Sequence, residues 1–169
     1  MFLTATNVRN FIFGVEDSLV STVGLLAGIA IGGVSKEVIL LTGCVLILVE
    51  AISMAAGSFL SEASAEEFKN KGNVPRSRAL LGGIVMFFSY FLAGFVPLFP
   101  YLVFEVSTAF YVSIGCSLLA LFMLGIISGS LSGGSLMKRG LRMMFIGGIA
   151  IAAGVGAALL LAQYGVVAV

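Results

Sequence analysis

Five apolar runs, each of about twenty residues or more, follow one another at about 11–34, 38–60, 79–99, 108–130 and 143–163. A bilayer core of about 30 Å is crossed by a helix rising 1.5 Å per residue over that length. The connectors are short, the longest being 61–78, and leave no room for a soluble domain. Of the 169 residues 60% are hydrophobic and 10% charged, with mean hydropathy +1.17. Soluble domains carry about 25% charged residues, so no water-soluble fold of this size hides so much apolar surface. The expected class is an all-α membrane protein: five transmembrane helices in a single transmembrane domain, 1–169, placed in the cell (inner) membrane. The first run is too long for a signal-peptide core, carries two acids and lacks an A-x-A site, so it should remain as a helix.

Lysine and arginine set the expected orientation. Arg9 precedes the first span, Lys69, Lys71, Arg76 and Arg78 fill the second connector, and Lys138, Arg139 and Arg142 fill the fourth. With alternating spans these lie on one side, and Lys36 alone lies on the other. That split predicts a cytoplasmic N-terminus and an outer C-terminus. The second helix should run on into the cytoplasm through SEASAEEFKNK and break near 72–75 (GNVP).

The first two spans carry acids that a lipid-facing helix would avoid. Glu16 and Asp17 stand near the start of the first; Glu50 lies at the centre of the second, with Met54 one turn on. A carboxylate deep in a bilayer costs a few kcal/mol or more and so faces a partner, a cavity or an ion. No lysine or arginine lies in the apolar cores to neutralise Asp17 or Glu50. If the cytoplasmic edge falls near Asn10 and Glu62, Asp17 and Met54 both lie about 10–12 Å deep and Glu50 about 18 Å deep, near the midplane. Ser53, Gly57, Ser58 and Ser61 continue the Glu50–Met54 face toward the cytoplasm; Asp17, Ser21, Gly24 and Gly28 form a matching stripe. The two helices read as the walls of a cation pathway. Below them Glu62, Glu66 and Glu67 form either a solvated helix end or a vestibule that concentrates cations.

Histidine is absent, which removes the commonest metal ligand and the usual neutral-pH proton carrier. Cys44 and Cys116 sit in apolar runs without a CxxC and read as small hydrophobes. Any metal site must use carboxylates, methionine sulfur, hydroxyls and carbonyls. Oxygen donors suit iron(II) and manganese(II), and thioether sulfur disfavours calcium and magnesium. Metal and proton competing for the same carboxylates is the simplest basis for antiport. No cofactor is expected, because the metal is cargo. Nor is nucleic acid, since no basic patch with interleaved aromatics occurs. An enzyme would lack histidine, a nucleophile motif and a hydrolase metal spacing. Two other readings stay open: a proton-coupled carrier of another substrate, and a non-transporting scaffold subunit. Small residues at four-residue spacing, 24-28-32, 125-129-133 and 148-152-156, suggest close helix approach and self-association as a homodimer. The prolines of 96–100 (VPLFP) should end the third span, Gly129 to Gly134 should end the fourth, and Glu105 reads as a solvated loop acid.

FGVEDSLVSTVGLLAGIA (13–30) resembles the FGxxDGLVS first-span signature of the vacuolar iron transporter family, and EAISMAAGSFLSEAS (50–64) is similar to its SMAxGEYVS second-span signature. FMLGIISG (122–129) and 146–160 fit its later spans, so the resemblance covers nearly the whole chain. It implies a five-helix homodimer with the ion path near the dimer interface, moving ferrous iron, or manganese, out of the cytoplasm in exchange for protons. By motif Asp17 and Met54 take the places of the family's metal-path residues. Ser58 stands where many members have the glutamate of GEYVS, and Glu50 is the carboxylate that could stand in for it. The long Glu-rich insert of vacuolar members is reduced here to 61–78.

Overall fold

The computed structural model describes residues 4–70, 77–133 and 135–164. Among these the chain forms five helices: α1 (Ala5–Ile31), α2 (Lys36–Asn70), α3 (Ser77–Val103), α4 (Val106–Ser132) and α5 (Leu136–Gln163). All five are long and apolar enough to cross a membrane. Helices are what such runs must form in lipid, because only there does every backbone group find a partner within its own segment. α1 begins before its apolar run because Thr4 accepts a hydrogen bond from the Asn7 amide at 3.2 Å, which caps the polar first turn. Gly33 (φ 70°) turns the chain into α2, and Gly133 (φ 66°) closes α4.

α2 is unbroken for 35 residues, about 52 Å at 1.5 Å per residue, so it overshoots any bilayer core. The break expected at 72–75, with Lys71 and Arg76, lies outside the described residues, as does Gly134.

The third span corrects one expectation. α3 passes through Pro97 and Pro100 and ends at Val103. Both prolines are buried in its last two turns, and each removes one amide bond, to the carbonyls of Ala93 and Val96. Packing holds this end in place: Leu98 and Tyr101 enter an apolar cluster with Leu26, Ile39, Ile47 and Ala109. The Pro97 carbonyl also accepts the buried Ser113 hydroxyl of α4 at 2.7 Å.

α1 and α2 both pack chiefly on α3 and only lightly on each other, while α1 also lies against α4 and α5. α1, α3 and α4 are thus shared by two cores, the one just named, which α2 completes, and a second built from Leu19, Val23, Ala93, Leu121 and Ile151, which α5 completes. Polar bonds pin α1 to α3: Ser18 donates to the Tyr90 carbonyl at 2.6 Å, and Asn10 to the Gly82 carbonyl at 3.1 Å. α2 keeps a long apolar face uncovered, including Leu41, Val45, Leu48 and Ile52.

Two of the three small-residue stripes are used inside the chain. A Cβ on Gly125 would meet the Arg139 carbonyl at 2.6 Å, and one on Gly129 would meet Leu136 at 3.1 Å, so that stripe seats α5 on α4. Gly28 lies against Ala158, and Gly154 against Gly24, so the first stripe seats α5 on α1. Each stripe is used in part, since an added Cβ on Gly24 or on Gly133 would meet nothing within 4 Å. The same holds at Gly57, Gly115 and Gly156.

Candidate metal path

A cleft of about 540 Å³ opens between α1, α2 and α3. Ser53, Met54, Gly57, Ser58 and Ser61 form its α2 wall, which is the polar stripe read from the sequence. Arg9, Asn10 and Phe13 form the α1 wall, and Met86 of α3 completes it. Each wall leads to an acid one turn further in: Phe13 to Asp17 and Met54 to Glu50, both at four-residue spacing. Asp17 and Glu50 are half-buried, and the charge of Glu50 acts on Asp17. Asp17 of α1 and Glu50 of α2 thus lie within electrostatic reach of each other, one helical turn from the Phe13 and Met54 that line the cleft.

Beyond this point the bundle closes. The Tyr90 hydroxyl, in the field of both Asp17 and Glu50, shares a 2.8 Å hydrogen bond with Ser21. Behind it stands the apolar cluster around Leu26, Ile47 and Leu98. Arg9 and Ser61 thus line the cleft, and the buried Tyr90 lies one turn along α3 from its Met86 wall.

At the open end α1 is tied to α2. Asn10 donates to the Ser58 hydroxyl at 2.8 Å, Thr6 to Glu62 at 3.2 Å, and Arg9 pairs with Glu62 at 3.5 Å. The Arg9 side chain is 67% exposed, so the pair contributes at most about 1 kcal/mol. A neighbouring cleft of about 380 Å³ holds Glu62, Glu66 and Arg78, with one Glu66 carboxylate oxygen buried and unbonded. Glu67 is exposed. Among the described residues no three His, Cys, Asp or Glu side chains converge as a metal site.

Glu16 goes elsewhere. Adjacent to Asp17 in sequence, it lines a separate cleft between α1, α4 and α5, together with Ser128, Arg139 and Arg142. Sequence reasoning also missed Asn10, Met86 and Tyr90. Two of these come from α3, which carries no acid, and nothing in its sequence marked them.

With this geometry in view, the comparisons with known proteins become decisive. A model of the VIT family matches residues 8–80 and 70–159. The chain belongs to the VIT family. It is similar to Vacuolar iron transporter 1 of Arabidopsis thaliana, at 25% identity over 90% of this chain and 85% of the plant protein. It is also similar to an uncharacterized protein of Methanocaldococcus jannaschii, at 25% identity over 87% of this chain and 85% of that one. Membership makes this VIT-family chain an integral membrane protein and a metal transporter, not an enzyme.

Proposed function

We propose that this chain exports a divalent transition metal, ferrous iron or manganese, from the cytoplasm across the cell (inner) membrane in exchange for protons, working as a homodimer. The observation that supports the reading is that Asp17 and Glu50, acids on two membrane-spanning helices, act on each other electrostatically one turn from the Phe13 and Met54 that line a cleft. Among the described residues neither acid has a cationic partner, the ion pair there being Arg9–Glu62.

Asp17, Glu50 and Met54 are the transport site. Their two oxygen donors and one sulfur suit a partly dehydrated iron(II) or manganese(II) ion and discriminate against calcium and magnesium. Met86 lines the same cleft and offers a second sulfur. Glu62, Glu66 and Glu67 gather cations at the mouth, which the Arg and Lys distribution assigns to the cytoplasm. Glu16 faces a different cleft and stands outside the path. Metal and proton compete for the two inner carboxylates, so release of one accompanies uptake of the other. One chain supplies too few donors for a full coordination shell, and a two-fold partner across the uncovered α2 face would double each of them.

The test is metal entry into proteoliposomes containing an internal metal-quenched dye, under an imposed pH gradient, with iron(II) set against manganese, zinc and calcium. Gradient-dependent iron flux, lost in Asp17→Asn and Met54→Ala, is the expected outcome. Flux unaffected by Asp17→Asn, or absent for every metal from folded protein, overturns the reading.

A further inference from the structure

Helix α5 opens with three cations in its first two turns, Lys138, Arg139 and Arg142, and has no acid in its first turn. A helix start favours the opposite, because its unbonded N–H groups already carry partial positive charge. Local capping does not relieve this: Ser135 is the N-cap residue, and its side chain makes no capping bond. Among the described residues neither guanidinium is ion-paired to a carboxylate of the chain.

Beside them opens the α1–α4–α5 cleft of about 410 Å³. Arg139, Arg142 and Ser128 line it with hydrogen-bond donors, Glu16 supplies one acid, and Met143 and Ile146 continue it as apolar wall. The α4–α5 crossing at Gly125 is too tight for a side chain, so at that point the cleft is bounded by closely packed backbone.

We propose that this cleft binds the phosphate of an acidic membrane phospholipid. The two guanidiniums and the Ser128 hydroxyl would donate to the phosphate oxygens, and Met143 and Ile146 would lie beside the first carbons of an acyl chain. Guanidinium–phosphate bonds are charge-assisted and can be bidentate, which suits Arg here better than Lys. Two arginines against one glutamate leave a net charge of +1 on the lining (2 − 1), which matches a monoanionic phosphodiester and opposes polyphosphates. A zwitterionic choline headgroup would bring its own ammonium into the field of the two guanidiniums. The apolar wall favours a lipid over free phosphate, because a bare anion gains nothing from Met143 and Ile146.

The full chain, purified and delipidated in detergent, is titrated with short-chain phosphatidylglycerol, short-chain phosphatidylcholine and inorganic phosphate, with bound ligand counted by native mass spectrometry. Wild type should prefer phosphatidylglycerol. Arg139→Gln combined with Arg142→Gln should weaken its binding about 25-fold, at about 5-fold per basic group, with helix content unchanged. Lys138→Gln, outside the lining, should bind within about twofold of wild type, because its charge falls off by screening. Should the double variant fail to fold, Arg142→Gln alone, an exposed position, should still lose about 5-fold. Equal phosphatidylglycerol affinity in wild type and the arginine variants would overturn the site. Inorganic phosphate binding as tightly as the lipid would overturn the lipid as its occupant.

Discussion

Successive residues on a helix point about 100° apart, and Glu16 and Asp17 show the consequence. Asp17 lies in the field of Glu50, while Glu16 lines a cleft with the arginines of α5. Asp17→Asn should therefore abolish metal flux together with metal-driven proton movement, whereas Glu16→Gln should keep most of the flux; stopped-flow dye quenching in proteoliposomes checks both. Met54→Leu keeps the volume and removes the sulfur. It should lower the ratio of iron to calcium flux more than it lowers total cation flux, and competition assays with the two metals measure that ratio. The inner acids, Met54 and the serine stripe were legible in the sequence because burial of charge in an apolar run and four-residue spacing are local signals. Asn10, Met86 and Tyr90 were not, because their roles come from which helix α3 happens to separate. The split between Glu16 and Asp17 is compatible with their 100° separation on α1, but which of them meets which cleft is decided by the packing of α5.

At the scale of elements, all five spans were readable from length and hydropathy, and their ends were not. α3 outlasts two prolines because tertiary packing around Leu98 and Tyr101 outweighs the lost amide bonds. The same distinction separates the glycines. Spacing identifies small residues, but only the fold says which of them touch a neighbour. Gly125→Ala would drive a methyl group into the Arg139 carbonyl and the Gly140 Cα, at 2.6 and 2.7 Å, both backbone atoms that cannot rotate away. It should destabilise the chain by about 1–3 kcal/mol. Gly156→Ala meets nothing within 4 Å and should leave stability unchanged or slightly improved through helix propensity. Thermal melting of the two variants in detergent, read by circular dichroism, should separate them clearly; equal melting points would contradict the α4–α5 crossing described here.

The whole molecule poses the question that a single chain leaves open. Asp17, Glu50 and Met54 are too few to surround a dehydrated ion, and α2 leaves an apolar face uncovered beside them. If two chains build one site, ligands from both copies must be present in the same dimer. Wild type and Asp17→Asn chains, mixed one to one and allowed to assemble at random, then give a quarter fully wild-type dimers. Flux per chain should fall to about one quarter of wild type if both aspartates are required, and to about one half if each chain transports alone. Tagged chains that allow the mixed dimers to be isolated sharpen the comparison, since mixed dimers should be inactive under a shared site and half-active under separate ones. A value of one half would keep Asp17 as a transport residue but return the path to the interior of each chain. The Arg9 end of the α1–α2–α3 cleft and the Tyr90–Ser21 closure would then be its two ends.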